Sequence, residues 1–140
     1  MNPVLILDDD WDRHKAFKHF YANQGIETIH VATVRSAIEV LENHVAGPSK
    51  LGFISLDHDL GEYGPSEYDP DKRREYTGRD VVDWMVKNMS PDVEVRIHSW
   101  NIVAGTGMEK ALREAGFKVS SRPFCFDAGA EGGFNRHAKP

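Results

Sequence analysis

A chain of 140 residues with 40% hydrophobic side chains is long enough for one domain with a real core and leaves little room for a second. Its 22 acidic against 17 basic side chains, a formal charge of −5, exclude the basic footprint of a protein that grips an extended duplex through many phosphates. No apolar run approaches the roughly 20 residues of a membrane span, the N-terminal stretch lacks a basic leader, and Cys125 stands alone, so a cytoplasmic, reducing setting is expected.

Five apolar runs alternate with four helical patterns. Val4 to Leu7 is continuously apolar, as a strand buried on both faces is. Asp8-Asp9-Asp10 ends it, and Asp10 is placed to cap a helix starting near Trp11, with Phe17, Phe20 and Tyr21 on one face and Gly25 to close it. Ile26 to Val31 reads as a second strand. Thr33 caps a second helix in which Val34, Ala37, Ile38, Leu41 and Val45 recur at helical spacing, and Gly47-Pro48-Ser49 turns the chain. The third strand, Leu51 to Leu56, runs into Asp57-His58-Asp59-Leu60-Gly61. Residues 62–76 read as one long loop, of a length that usually serves as a lid or mobile segment.

A third helix follows with Val81, Val82, Met85 and Met89 inward, and a fourth strand alternates Val93, Val95 and Ile97 with polar residues. Ala104, Met108, Ala111, Leu112 and Ala115 mark the fourth helix, Gly116 stops it, and Phe117 to Ser121 is the fifth strand. The domain is expected over residues 1–124, with residues 125–140 as a Gly-rich tail. Strands separated by helices need right-handed crossovers, so the economical fold is an open α/β flavodoxin-like sheet of five parallel strands, order 2-1-3-4-5, with helices on both faces. Such sheets bind ligands beyond the carboxyl ends of their strands.

Polar chemistry sits at those ends. Asp8, Asp9 and Asp10 repel one another, and a hard cation relieves them better than a helix terminus does. Asp57 completes a cation site with Asp8 or Asp9, and strand alternation sends Asp59 to the same side and His58 to the other. The expected ligands are therefore Asp8, Asp9, Asp57 and Asp59, for Mg²⁺ or Mn²⁺. His98 and His58, with His14 reaching in from the first helix, are the candidate acid–base groups, because imidazole changes charge near neutrality. Ser99, Asn101 and Arg122 are placed to bind a phosphoryl group. Lys72-Arg73-Arg74 offers a basic run in the long loop, and Gly105-Thr106-Gly107 a weak phosphate cradle. His19, His30, His44 and His137 are assigned to the surface.

An acidic pair after strand one, Asp57 after strand three, Ser99 after strand four and a basic residue before proline after strand five resemble the response-regulator receiver domain. The departures are Arg122 in place of lysine, His98 before Ser99, and no fifth helix. Leu7-Asp8-Asp9, Asp57-His58-Asp59-Leu60-Gly61 and Ile97-His98-Ser99-Trp100-Asn101 are similar instead to the cyclic-phosphate-processing branch of receiver-like domains. That resemblance implies metal-dependent cleavage of cyclic phosphates on nucleotides or RNA ends, with Asp57 as ligand or nucleophile. The alternatives are a phospho-accepting signalling receiver and a metal- or phosphate-binding module without turnover.

Overall fold

The computed structural model describes residues 2–125. Its elements run β1 (Val4–Leu7), α1 (Trp11–Ala22), β2 (Thr28–Val31), α2 (Val34–Ala46), β3 (Phe53–Leu56), β4 (Asp59–Pro65), β5 (Arg73–Thr77), α3 (Gly78–Asn88), β6 (Glu94–Ile97), α4 (Ile102–Glu114) and β7 (Val119–Ser121). The main sheet has the order β2-β1-β3-β6-β7, all parallel, which is the expected 2-1-3-4-5 arrangement once the small β4–β5 pair is set aside. β1 and β3 sit at its centre and are buried on both faces, which is why their sequences are almost unbroken runs of apolar residues.

Alternation sorts these strands into two cores. Leu5, Leu7, Ile54, Leu56, Val95 and Ile97 point to one face, where α2, α3 and α4 cover them through Leu41, Val82, Met85, Met108 and Leu112. Val4, Ile6 and Phe53 point to the other, where Phe17 and Tyr21 of α1 and Phe124 complete a smaller aromatic cluster. The same period carries Asp8, Ser55, Asp57, Arg96 and His98 to the α1 side. Arg96 confirms the register by lying over the Phe53 ring at 3.7 Å. The polar strand ends therefore converge beneath the first turn of α1.

The helix starts are those expected. Asp10 accepts from the backbone N–H groups of Asp12 and Arg13, and Thr33 accepts from that of Ser36. Each such cap contributes about 1 kcal/mol. Asn101, expected as a ligand-binding side chain, caps α4 by accepting from Ala104 N–H.

Four expectations are corrected. Residues 62–76 are not one long loop: β4 and β5 form an antiparallel hairpin that pairs Glu62 with Tyr76 and Pro65 with Arg73. Two of its basic residues are engaged, since Arg74 holds Glu67 and Asp80 of the following helix and stacks on Tyr76, while Arg73 donates to the Tyr63 carbonyl. In the last turn of α2 the inward residue is His44, whose Nδ1 accepts from Leu51 N–H, and Val45 faces solvent. A buried backbone donor needs a partner, and only the imidazole supplies one. His30 is half-buried rather than a surface residue, with its Nδ1 2.6 Å from Nδ1 of His14.

Gly105 and Gly107 lie inside α4, where the Thr106 hydroxyl donates to the Ile102 carbonyl, so that segment is helix and not a phosphate loop. The tail lies outside the described residues, as does His137; only its first residue, Cys125, is described, and it is buried. No helix among the described residues is long and apolar enough to cross a membrane.

Candidate active site

The site is assembled from three strand ends and one helix. β1 delivers Asp8, β3 delivers Asp57 and β6 delivers His98, because each strand's ladder continues one residue past its last strand residue. Asp8, Asp57 and His98 donate their backbone N–H to the carbonyls of Val31, Leu7 and Leu56. Each side chain is thus fixed by a sheet hydrogen bond at its root. The backbone of α3 packs directly behind: Gly78 donates to the His58 carbonyl, and a Cβ on Gly78 would stand 2.0 Å from the Asp57 carbonyl oxygen. Only glycine fits that approach.

Asp8, Asp57 and His98 are all buried, and each offers an atom within 4.8 Å of the other two. His98 Nε2 lies 2.9 Å from Asp8 Oδ2, its Nδ1 lies 2.8 Å from Ser55 Oγ, and its ring packs edge-on to Phe17. The Ser55–His98–Asp8 chain has the order of a nucleophilic triad. Ser55 is nevertheless buried within the sheet and does not reach the cavity, so its hydroxyl fixes the imidazole and attacks nothing.

The residue missed in the sequence is Arg13. It donates to Asp8 twice, Nε to Oδ2 and Nη2 to Oδ1, each at 2.8 Å. The same Nη2 lies 3.6 Å from Asp9 and 3.5 Å from Asp57, and Nη1 lies 3.3 Å from Asp10. Its sequence signal was present: position 13 faces back toward Asp9 and Asp10 at helical spacing. A charged residue in a first turn looks like a solvated one until the strand ends are placed beneath it.

Charge is distributed unevenly between the two buried carboxylates. Burial alone would raise Asp8, but hydrogen bonds from His98 and Arg13 outweigh it and hold the carboxyl well below the usual range. Asp57 has no such bidentate partner, and burial pushes it up to about 6. The cage is short of positive charge, with Arg13 shared among four aspartates. A donor set of buried, under-compensated carboxylates fits a divalent cation, and Asp9, half-exposed beside Gly61, supplies a further oxygen.

A cavity of about 300 Å³ opens above this cage, lined by Asp9, Arg13, Asp57, Asp59, His98, Ser99, Trp100 and Asn101. A larger hollow of about 410 Å³ lies between α2 and the hairpin, walled by Val34, Ile38 and Tyr76, with no buried carboxylate, so size does not select the site. Trp100, 58% exposed, stands at the mouth with its indole N–H donated to the Phe124 carbonyl at 2.6 Å. Ser99 accepts from Asn101 N–H, and the Asn101 amide faces Asp59 at 3.4 Å.

Other expected residues stand elsewhere. His58 is outside the cavity wall, bonded through Nδ1 to Asp59 at 2.6 Å. Alternation would have parted these neighbours, but the chain bends into β4 after Asp57 and brings them together. His14 lies behind the site, its Nε2 2.7 Å from the Asp8 carbonyl and its Nδ1 on His30. Burial lowers both histidines, His30 to about 4. Arg122 is exposed, donates its backbone N–H to Ile97, and does not line the cavity.

The fold is shared with solved receiver domains. A signal receiver domain from Vibrio parahaemolyticus superposes with a TM-score of 0.60 at 24% identity, over 91% of this chain and 83% of that one. The receiver domain of NtrX from Brucella abortus gives 0.59 at 19%, over 89% and 88%. A Burkholderia pseudomallei response regulator, solved with a phosphorylated aspartic acid, a calcium ion and citrate, gives 0.59 at 15%, over 94% and 67%. No curated protein sequence matches. Residues 4–114, which carry the strand ends bearing Asp8, Asp57 and His98, match the family model described as the cyclic-phosphate processing receiver domain; the chain belongs to that family.

Proposed function

We propose that this domain hydrolyses cyclic phosphates of nucleotides or RNA ends, with a divalent cation bound at the acidic cage. The observation that carries the reading is the buried Asp8–Asp57–His98 cluster at the floor of a polar cavity, on strand ends that hold side chains rigidly. Asp8, Asp57 and Asp9 would hold Mg²⁺ or Mn²⁺, which when bound neutralises charge on the phosphoryl oxygens and favours ionisation of water.

The chain's own residues do the rest. His98 stands with Nε2 2.9 Å from the Asp8 carboxylate, and it lines the cavity where a departing ribose oxygen needs a proton. Ser55 keeps the ring in place during that transfer. The guanidinium at the cavity wall is that of Arg13, so the phosphoryl-orienting role expected of Arg122 passes to it. Ser99 and Asn101 also line that cavity. His58 orients Asp59 rather than transferring protons itself, and His14 supports the Asp8 backbone. Trp100 presents a fixed aromatic face at the mouth, suited to stacking a nucleobase.

The test is turnover of a 2′,3′-cyclic nucleotide by wild type and His98→Gln across pH 5 to 9. The substitution keeps hydrogen-bonding capacity and removes the titrating ring, so turnover should fall about 10²-fold or more with the fold unchanged. An unaltered rate and pH profile would remove His98 from the mechanism. A phospho-accepting receiver is the second reading, favoured by the position of Asp57 at the end of the central strand β3.

A further inference from the structure

We propose that Arg13 is a resident counter-cation that leaves the acidic cage when a divalent ion enters. The inference takes the identity of the incoming ion from the metal-dependent reading above, and takes nothing from the hydrolysis.

One nitrogen carries the case. Arg13 Nη2 stands 2.8 Å from Asp8, 3.5 Å from Asp57 and 3.6 Å from Asp9, at the point where three carboxylates from two strand ends converge. A cation ligated by these residues would stand at the same point. The ligand atoms of Asp8, Asp57 and His98 span no more than 4.8 Å, so the cage has no room for a guanidinium nitrogen and a dehydrated cation together. Both are positive, and in a buried setting their repulsion is only weakly screened. Binding is therefore an exchange.

The architecture permits that exchange without disturbing the fold. Arg13 sits on the first turn of α1, whose start is fixed by Asp10 and not by the guanidinium. Its side chain is 27% exposed and already forms part of the cavity wall, so it has a path out of the cage on the side where substrate enters. Once released from Asp8 it presents an unpaired fork to that cavity, and a phosphoryl group is the planar-fork partner the site is shaped to receive. Cation and phosphate binding are then coupled through one side chain, and by linkage each tightens the other equally.

The experiment measures free Mn²⁺ by electron paramagnetic resonance in titrations of wild type, Arg13→Gln and Arg13→Lys, with and without inorganic phosphate. Arg35→Gln, on the exposed face of α2, is the control. Arg13→Gln should bind Mn²⁺ about tenfold or more tightly than wild type, because no resident charge has to be expelled. Arg13→Lys should fall between them. Phosphate should strengthen Mn²⁺ binding in wild type and leave Arg13→Gln unchanged. Should Arg13→Gln fail to fold, the wild-type Arg13 Nε–H resonance gives the same answer, since saturating Mg²⁺ should shift it and speed its exchange with water. Equal or weaker Mn²⁺ binding by folded Arg13→Gln, or an unmoved Nε–H resonance, overturns the exchange. Absence of Mn²⁺ binding in every variant overturns it together with the metal-dependent reading. A chain that exchanges its arginine but cleaves no cyclic phosphate supports the exchange and sinks the enzymatic reading alone.

Discussion

Replacing Asp57 by asparagine should stabilise the metal-free protein at neutral pH. The folded carboxyl holds its proton up to about 6, against 3.8 for the free side chain, chiefly because burial penalises its charge. The associated stability is fully present below pH 3.8 and is lost as the pH rises through about 6. At about 1.4 kcal/mol for each tenfold change in proton binding, ionising Asp57 costs the folded state up to about 3 kcal/mol at pH 7 and above. Asparagine mimics the protonated form and keeps an oxygen for His58 N–H, giving up only the 3.5 Å approach of Arg13. The expected gain is about 1–3 kcal/mol at pH 7 to 8 and close to zero below about pH 4. Urea unfolding of both proteins in chelator, from pH 4 to 8, measures it. An Asp57→Asn variant no more stable than wild type at pH 8 would refute the charge-short cage on which the metal site rests. Adding Mn²⁺ should reverse the order, because the ion stabilises only the chain that binds it.

Asp8 should behave in the opposite sense. Its folded carboxyl is held below 3.8, so its stabilisation is present above that pH and lost as the pH falls further; Asp8→Asn should cost about 3 kcal/mol at pH 7, read by the same unfolding series. Gly78→Ala should destabilise by about 2 kcal/mol or more and slow turnover, because its Cβ can be accommodated only by pushing the Asp57 backbone away; an unchanged melting temperature would contradict that packing. Trp100→Ala should raise KM about tenfold for a 2′,3′-cyclic nucleotide and leave a base-free cyclic phosphate unaffected, whereas equal effects on both would discard the stacking role. A small phosphodonor should leave no long-lived acyl phosphate by intact mass; a stoichiometric adduct lost in Asp57→Asn would favour the signalling receiver.

The parallel sheet was legible because its signals are one-dimensional. Val4–Leu7 and Phe53–Leu56 are apolar at every position or nearly so, which only a doubly covered strand requires, and the helical spacing between them dictates crossovers. Asp8 and Asp57 were legible for the same reason, each being the first titratable residue after such a run, and His98 was legible as the end of a strand that alternates Val93, Val95 and Ile97 with polar residues. The hairpin was not. Its strands are polar, Gly- and Pro-containing and half-exposed, so period-2 alternation carries no hydrophobic contrast there. His44 and Val45 show the limit of helical spacing, since either can face inward at the end of a helix, and a backbone donor three-dimensionally adjacent, Leu51 N–H, decided between them.

Arg13 and Arg122 show the limit of placing function by position alone. Arg122 stands at a strand end and so looked functional, yet its side chain is exposed and outside the cavity wall. Arg13 lies on a helix, outside the pattern of strand ends, yet it reaches down to three strand-end carboxylates. Strand alternation gives a side chain's direction, but a long flexible side chain on a helix is located only by what lies beneath it. His14 and His30 were separated in the sequence by a helix and a strand, and only the packing of α1 against β2 brings their rings together.

The proposed activity is cleavage of a cyclic phosphate at the Asp8–Asp57–His98 cage with a bound divalent ion. The most direct measurement is phosphorus NMR of 2′,3′-cyclic AMP incubated with the protein, in Mn²⁺-free chelator and in Mg²⁺, with Asp57→Asn alongside. The cyclic resonance should convert to a single phosphomonoester in Mg²⁺, with none formed in chelator and none from the variant. Conversion that proceeds equally in chelator, or equally with Asp57→Asn, would contradict it.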